Sequence, residues 1–168
     1  AIHHAVIEAA RGVPVIPCVW DPQPSQAIEL AKHAADNGAD AVFLPPPLFH
    51  VVEESVILRW YETMVQSVPI PVWAYHHPRT HNPISAPLFG QLRELGVQGL
   101  KDSSGVPARV HALCQAHPGK IWVGGEAMLP RLEVMSGAAG HISRLANVYP
   151  RLALRVLKEG IGSTANRY

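Results

Sequence analysis

The chain has 168 residues, 48% of them hydrophobic and 16% charged, with 14 basic against 13 acidic side chains. That length suffices for one domain with a sizeable core, and a formal net charge of +1 leaves no electrostatic footprint for nucleic acid or an anionic membrane. No apolar stretch of about 18 residues occurs, which excludes a membrane-spanning helix, and the 16 prolines and 13 glycines are scattered as punctuation, not gathered into a low-complexity tract.

In chain order, "AIHHAVIEAARG" reads as the back half of a helix, so the chain is expected to begin mid-domain, with His3 and His4 at the surface or in packing. "VPVIPCV" (13–19) is a short β-rich run that predicts a strand. Helix 25–39 follows, with Ser25 as N-cap, an apolar stripe of Ile28, Leu30, Ala31, Ala34 and Ala35, and Gly38 as its stop. The pattern then repeats: strand 40–46, helix 53–67, strand 70–75, helix 85–96, strand 97–101, helix 107–117, strand 120–125, helix 127–137, strand 140–145 and helix 150–160. Trp60 and Tyr61 fall inside the apolar pattern of helix 53–67 and are expected to pack.

Strands alternating with helices predict an α/β fold with a parallel sheet, because parallel neighbours need a crossover of about a dozen residues or more. Six such units fit either an open doubly wound sheet or most of a (β/α)8 TIM barrel. Neither G-x-G-x-x-G nor G-x-x-x-x-G-K-[ST] is present, so nothing favours a dinucleotide-binding sheet, and a partial barrel over 1–168, short of the roughly 200 or more residues of a complete one, is the expected domain. Cys18 and Cys114 lie far apart and in no metal-ligand spacing, which fits reduced thiols in a cytoplasmic protein.

A barrel of this kind carries its chemistry where strands pass into the following loops. Those positions hold Trp20 and Asp21, residues 47–50, Tyr75 with His76 and His77, Lys101 and Asp102, Gly125 and Glu126, and residues 143–147. Lys101, in "VQGLKDSSG", is the most expensive of them for a strand leaving a core. Side chains alternate along a strand, so Trp73 and Tyr75 share one face, as do Gly99 and Lys101 on the next; with strands about 4.8 Å apart, Tyr75 and Lys101 are expected side by side. Gly99 then leaves room that Trp73 could fill. A lysine that loses solvation is disfavoured in its charged form, and the free amine attacks a carbonyl; Tyr75 is the candidate proton shuttle. Asp102, Ser103 and Ser104 read as a group that satisfies backbone amides at the loop-to-helix junction, with Glu126 a further strand-end carboxylate and Asn147 a loop brace. "HHPRTH" raises a metal reading through His76, His77 and His81, but zinc needs three or four converging ligands, and adjacent extended histidines point apart; a polar loop lip is expected instead.

"YHHPRT", followed some twenty residues later by "GLKDSSG" and then by "VGGEAMLP" and "GAAGHISRLANVYP", resembles the dihydrodipicolinate synthase and N-acetylneuraminate lyase family. "RGVPVIPCV", "AIELAKHAADNGADAVFLPPP" and "VPIPVWAYHHP" agree in order and spacing. The resemblance implies an eight-stranded barrel that forms a Schiff base between a lysine and pyruvate or another 2-oxo acid, with Lys101 as the imine lysine, Tyr75 as the proton-transfer phenol, Arg79 as a carboxylate partner, and Gly125 and Ile142 as backbone positions lining the pocket. It further implies a lyase or aldolase with no cofactor and no metal, a small-molecule 2-oxo acid and an aldehyde or sugar acid as substrates, and a homo-oligomer, a tetramer in the family. Residues 1–168 would correspond to about six βα units, the first two strands and the Gly-Thr-Thr or Gly-Ser-Thr carboxylate loop being missing. Pro47, Leu48 and Phe49 stand where synthases carry Pro-Tyr-Tyr, which points to a relative with another aldehyde or sugar-acid substrate; Arg79 follows Pro78 directly where they carry one more residue, a deletion that could turn it outward. A catalytically inactive fragment or binding module on the same scaffold is the alternative, with a metal-dependent aldolase using the histidine loop behind it.

Overall fold

Strand and helix alternate much as the punctuation predicts in the structure, a computed structural model that describes residues 2–48, 50–125 and 137–159. The elements run α1 (Ile2–Ala10), α2 (Pro24–Asp36), β1 (Val42–Leu44), α3 (Glu54–Ser67), β2 (Val72–His76), a 3-10 turn (Pro78–Thr80), α4 (Ala86–Glu94), β3 (Gly99–Asp102), α5 (Pro107–Ala116), β4 (Ile121–Gly124), β5 (Gly140–Ile142), a second 3-10 turn (Leu145–Asn147) and α6 (Pro150–Glu159). Glu126 and all but the last residue of the helix expected over 127–137 lie outside the described residues. The strand order is β1-β2-β3-β4-β5, with parallel ladders between β1 and β2 and between β4 and β5. Each strand thus neighbours the next in sequence. A doubly wound sheet reverses its order at a switch point; a barrel does not.

The run at 13–19 is not a full strand but a single parallel bridge, Cys18 to Phe43. Phe43 N–H donates to Pro17 O (2.8 Å) and Val19 N–H to Phe43 O (2.9 Å). One ladder step back needs an N–H at Pro17, and one step forward needs an N–H at Pro45; proline has none. The same proline run closes β1 at Leu44, so the strand has three residues where seven were predicted.

Two compact units are distinguished, Ala1–Leu100 and Lys101–Tyr168. In the first, α2 starts one residue earlier than predicted, so Ser25 sits inside the helix and Gln23 is the N-cap, without a side-chain cap bond. Proline's fixed φ suits the first helical turn, and this displaces the serine. The buried stripe is Ala27, Ala31 and Ala34, whereas Leu30 is exposed. Gly38, at φ +88, ends the helix in a paired-bond motif: its N–H donates to Ala35 O and that of Ala39 to Ala34 O, the arrangement a left-handed residue after the cap permits. His3 stacks on His33 with ring centroids 6.0 Å apart, and burial and that neighbour lower the His3 pKa. His4 Nδ1 lies 2.8 Å from Asn37 Oδ1, so both early histidines tie α1 to α2.

Crossover helix α3 buries Ile57, Trp60, Tyr61 and Met64. Trp60 Nε1 donates to Pro45 O (3.0 Å) and Tyr61 Oη to Leu44 O (2.7 Å), which gives acceptors at the end of a proline-truncated strand the donors that a ladder would have supplied. Burial raises the Tyr61 pKa, partly offset by its hydrogen bond with the Tyr75 backbone, so the phenol stays a donor. Helix α4 is capped by Ser85, whose Oγ accepts from Leu88 N–H (3.2 Å), and buries Leu88, Phe89 and Leu92. Burying each such side chain contributes about 1.5–3 kcal/mol.

The second unit packs Val110, Leu113 and Cys114 of α5, with Ile121 and Val123 of β4 among its buried residues. Strand β5 stops at Ile142, shorter than the predicted 140–145, because Leu145–Asn147 turns into a 3-10 helix. Trp122 faces Gly140 in register, and a Cβ at Gly140 would stand 3.4 Å from its indole.

Candidate active site

Strand β2 alternates, with Val72, Ala74 and His76 buried and Trp73 and Tyr75 partly exposed on the other face. Phe43, paired in register with Trp73, touches both rings, at 6.1 Å from Trp73 and 6.4 Å from Tyr75 between centroids. The space read at Gly99 is filled as expected. A Cβ there would collide with Trp73 Cζ3 and Cε3 and stand 2.7 Å from Cη2. Gly99→Ala is therefore expected to lower the unfolding free energy by about 1–3 kcal/mol through overpacking, measured by urea denaturation. A change below about 0.5 kcal/mol would mean the indole moves aside freely.

Past β2 the chain tightens around Arg79. His77 Nδ1 accepts from Arg79 N–H (3.1 Å), and the His77 ring meets Tyr75 edge-on at 6.0 Å. Thr80 N–H and Oγ1 both donate to His77 O, at 2.9 and 2.8 Å. Asn82, 1% exposed, donates through Nδ2 to Pro47 O (2.7 Å), His50 O (2.8 Å) and Thr80 O (3.3 Å) and accepts from Val52 N–H (2.9 Å). One side chain thus braces the loop after β1 against the turn after β2. Arg79 itself is exposed. The loop after β1 also borders a cleft of about 310 Å³ with Trp20, Asp21, Pro47, Leu48, His50 and Trp60 in its walls.

In the second unit, Lys101 stands at the carboxyl end of β3, partly exposed. Its stem crosses Gly124 of β4: a Cβ at Gly124 would stand 2.7 Å from Lys101 Cε and 3.5 Å from Cγ, and would collide with Ser103 Oγ. The missing side chain opens a lane that holds both the lysine and the serine hydroxyl. Asp102, facing the other way and fully buried, accepts from Arg109 Nε (2.8 Å), Ser104 N–H (2.9 Å) and Ser104 Oγ (2.5 Å). Ser104 Oγ in turn accepts from Val106 N–H (3.2 Å). The carboxylate organises the loop into α5, as its residue type suggested. Burial, with Asp102 nearby, raises the Cys114 pKa, so that thiol resists becoming a nucleophile. Gly125 and Ile142 meet directly, Gly125 N–H donating to Ile142 O (2.9 Å).

Tyr75 and Arg79 thus belong to the first unit, and Lys101, Gly125 and Ile142 to the second. Adjacent His76 and His77 do point apart, one buried and the other against Tyr75. Among the described residues no three His, Cys, Asp or Glu side chains converge on a point that could hold a metal ion, and no helix is long and apolar enough to cross a membrane. Gly124, Arg109 and Asn82 escaped the sequence reading. The Gly-Gly pair at 124–125 was the available signal for the first; the other two depend on partners distant in the chain.

A parallel sheet whose strands follow one another in chain order, with a lysine laid over a glycine at a strand's carboxyl end, is the arrangement of part of an α/β barrel. The chain belongs to the dihydrodipicolinate synthetase family, whose model matches residues 1–167. It is 34% identical over 155 residues to an uncharacterized DapA-like lyase of Halobacterium salinarum, covering 89% of this chain and 50% of that protein. A 4-hydroxy-tetrahydrodipicolinate synthase of Nitrobacter hamburgensis is 32% identical over 155 residues, covering 90% and 52%. Among solved structures, a prophage protein of the dihydrodipicolinic acid synthase family from E. coli K12, in complex with pyruvate, matches with a TM-score of 0.88 at 25% identity over 98% of this chain and 59% of its own. The fold is that of part of a TIM barrel, and the chain spans about half the length of the curated relatives it matches.

Proposed function

We propose that the chain carries a class I aldolase or lyase site in which Lys101 forms a Schiff base with pyruvate or a related 2-oxo acid. The observation that carries this reading is the lane at Gly124, which lays the lysine stem along β4 at a strand's carboxyl end, where barrel enzymes hold their reacting groups. The free amine attacks the C2 carbonyl carbon, the carbonyl electron pair takes up a proton, and loss of water leaves the imine. Once protonated, the imine nitrogen draws electrons from C3, so a C3 proton leaves and an enamine forms. Attack of the enamine on an aldehyde makes the new carbon–carbon bond; the reverse breaks it. Hydrolysis then restores lysine and a carbonyl.

Tyr75 is the proposed proton carrier, its ring set by Phe43 and His77. Arg79 is the proposed partner of a substrate anion, for which a guanidinium offers two parallel donors, and Gly125 and Ile142 are the proposed backbone lining. No cofactor is called for by this chemistry. Cys18 and Cys114 as reduced thiols, one exposed and one buried, suit a reducing, cytoplasmic setting, and a homo-oligomer fits the family. The acceptor aldehyde or sugar acid stays at the level of its class.

Deprotonation at C3 gives a direct test: pyruvate in D2O should lose its methyl proton signal faster with the protein than in buffer. Tyr75→Phe is expected to slow this exchange by roughly 10²–10⁴-fold, the ordinary contribution of a positioned acid–base group. Exchange at the buffer rate would contradict the imine reading, and an unaltered rate in Tyr75→Phe would remove Tyr75 from it.

A further inference from the structure

We infer that His77 is a positioning residue for this reaction, fixing through Nδ1 the turn that presents Arg79 to a substrate anion; the inference rests on the function proposed above. Arg79 is exposed on a three-residue turn, yet the backbone on either side of it is pinned by five hydrogen bonds: Arg79 N–H to His77 Nδ1, Thr80 N–H and Oγ1 to His77 O, Asn82 Nδ2 to Thr80 O and His81 N–H to Pro78 O. An exposed side chain on a turn held this firmly has its point of departure set by the buried groups beneath it. Pro78 has no N–H, so Arg79 supplies the turn's first donor, and His77 accepts it two residues back as an Asn or Asp side chain would. An Nδ1 that accepts is unprotonated. The ring also meets Tyr75 edge-on at 6.0 Å. One imidazole therefore links the proposed proton carrier to the mount of the proposed anion partner.

Two substitutions separate those roles. His77→Phe keeps a ring for Tyr75 and removes the acceptor. His77→Asn restores an acceptor for Arg79 N–H without a ring. With pyruvate as probe in the D2O exchange assay, His77→Phe is expected to raise KM roughly 3- to 10-fold, the ordinary worth of one hydrogen bond, with kcat changed less than KM, while His77→Asn restores KM to within about twofold. The KM effect of His77→Phe should vanish in an Arg79→Ala background, because the two act through one contact. Hydrogen exchange of the Arg79 amide, followed by NMR without substrate, should be fast in His77→Phe and protected in wild type and His77→Asn. Equal Arg79 protection in all three proteins, an unchanged KM in His77→Phe, or additivity with Arg79→Ala would overturn the inference. If wild type exchanges no pyruvate protons, the function fails as proposed, while the amide measurement still decides whether His77 holds the turn.

Discussion

Lys101→Ala is expected to lower turnover of any 2-oxo acid substrate by roughly three to six orders of magnitude, the scale of loss when a covalent nucleophile is removed. Tyr75 and Arg79 would remain, but without an amine no imine forms and the C3 proton keeps its ordinary acidity. The fold should survive. Lys101 is only partly buried, and its stem lies over a glycine, so truncation mainly removes aliphatic contact; thermal and urea midpoints should correspond to a change within about 1 kcal/mol. Steady-state kinetics beside a denaturation curve checks both halves. Activity above about one hundredth of wild type would assign the reaction to another group.

Arg109→Ala is expected to cost about 3–5 kcal/mol of stability, because it leaves the fully buried Asp102 carboxylate without its cation. Ser104 still donates to Asp102 through its N–H and hydroxyl, which argues for the lower end. Arg109→Ala with Asp102→Asn should recover part of the loss, since no unpaired charge then remains in the interior. Urea denaturation of the single and double variants gives the comparison. A cost under about 1 kcal/mol for the single variant would show that water replaces the guanidinium. The consequence reaches the lysine: Asp102 adjoins Lys101 in β3, and its bonds shape the 103–106 loop from which Ser103 enters the Gly124 lane.

What could be read from the residues alone was governed by local periodicity. Two-residue alternation along strands foretold that Trp73 would lie over Gly99 and that His76 and His77 would part. Asp102 and Ser104 named their own junction by residue type, whereas Ser103 turns its hydroxyl toward Gly124 instead. Positive φ at Gly38 followed from its place after an apolar helix. The failures share a different cause. The strand at 13–19 was broken by what Pro17 and Pro45 cannot donate to each other's neighbours, a fact about pairing instead of propensity. Ser25 lost the cap to Gln23 because Pro24 opens the helix one residue earlier. Asn82 reaches partners 30 and 35 residues away, and the Gly124 lane exists only because a neighbouring strand sends Lys101 and Ser103 across it. Such groups are visible once the strands are side by side.

Trapping the imine tests the central claim most directly. The protein would be incubated with pyruvate and borohydride, then weighed intact and mapped by peptide mass. The account predicts one reduced pyruvate adduct, on the peptide bearing Lys101, absent from Lys101→Ala and retained in Tyr75→Phe. No adduct at any pH from about 7 to 9, or an adduct confined to a different lysine, would contradict it.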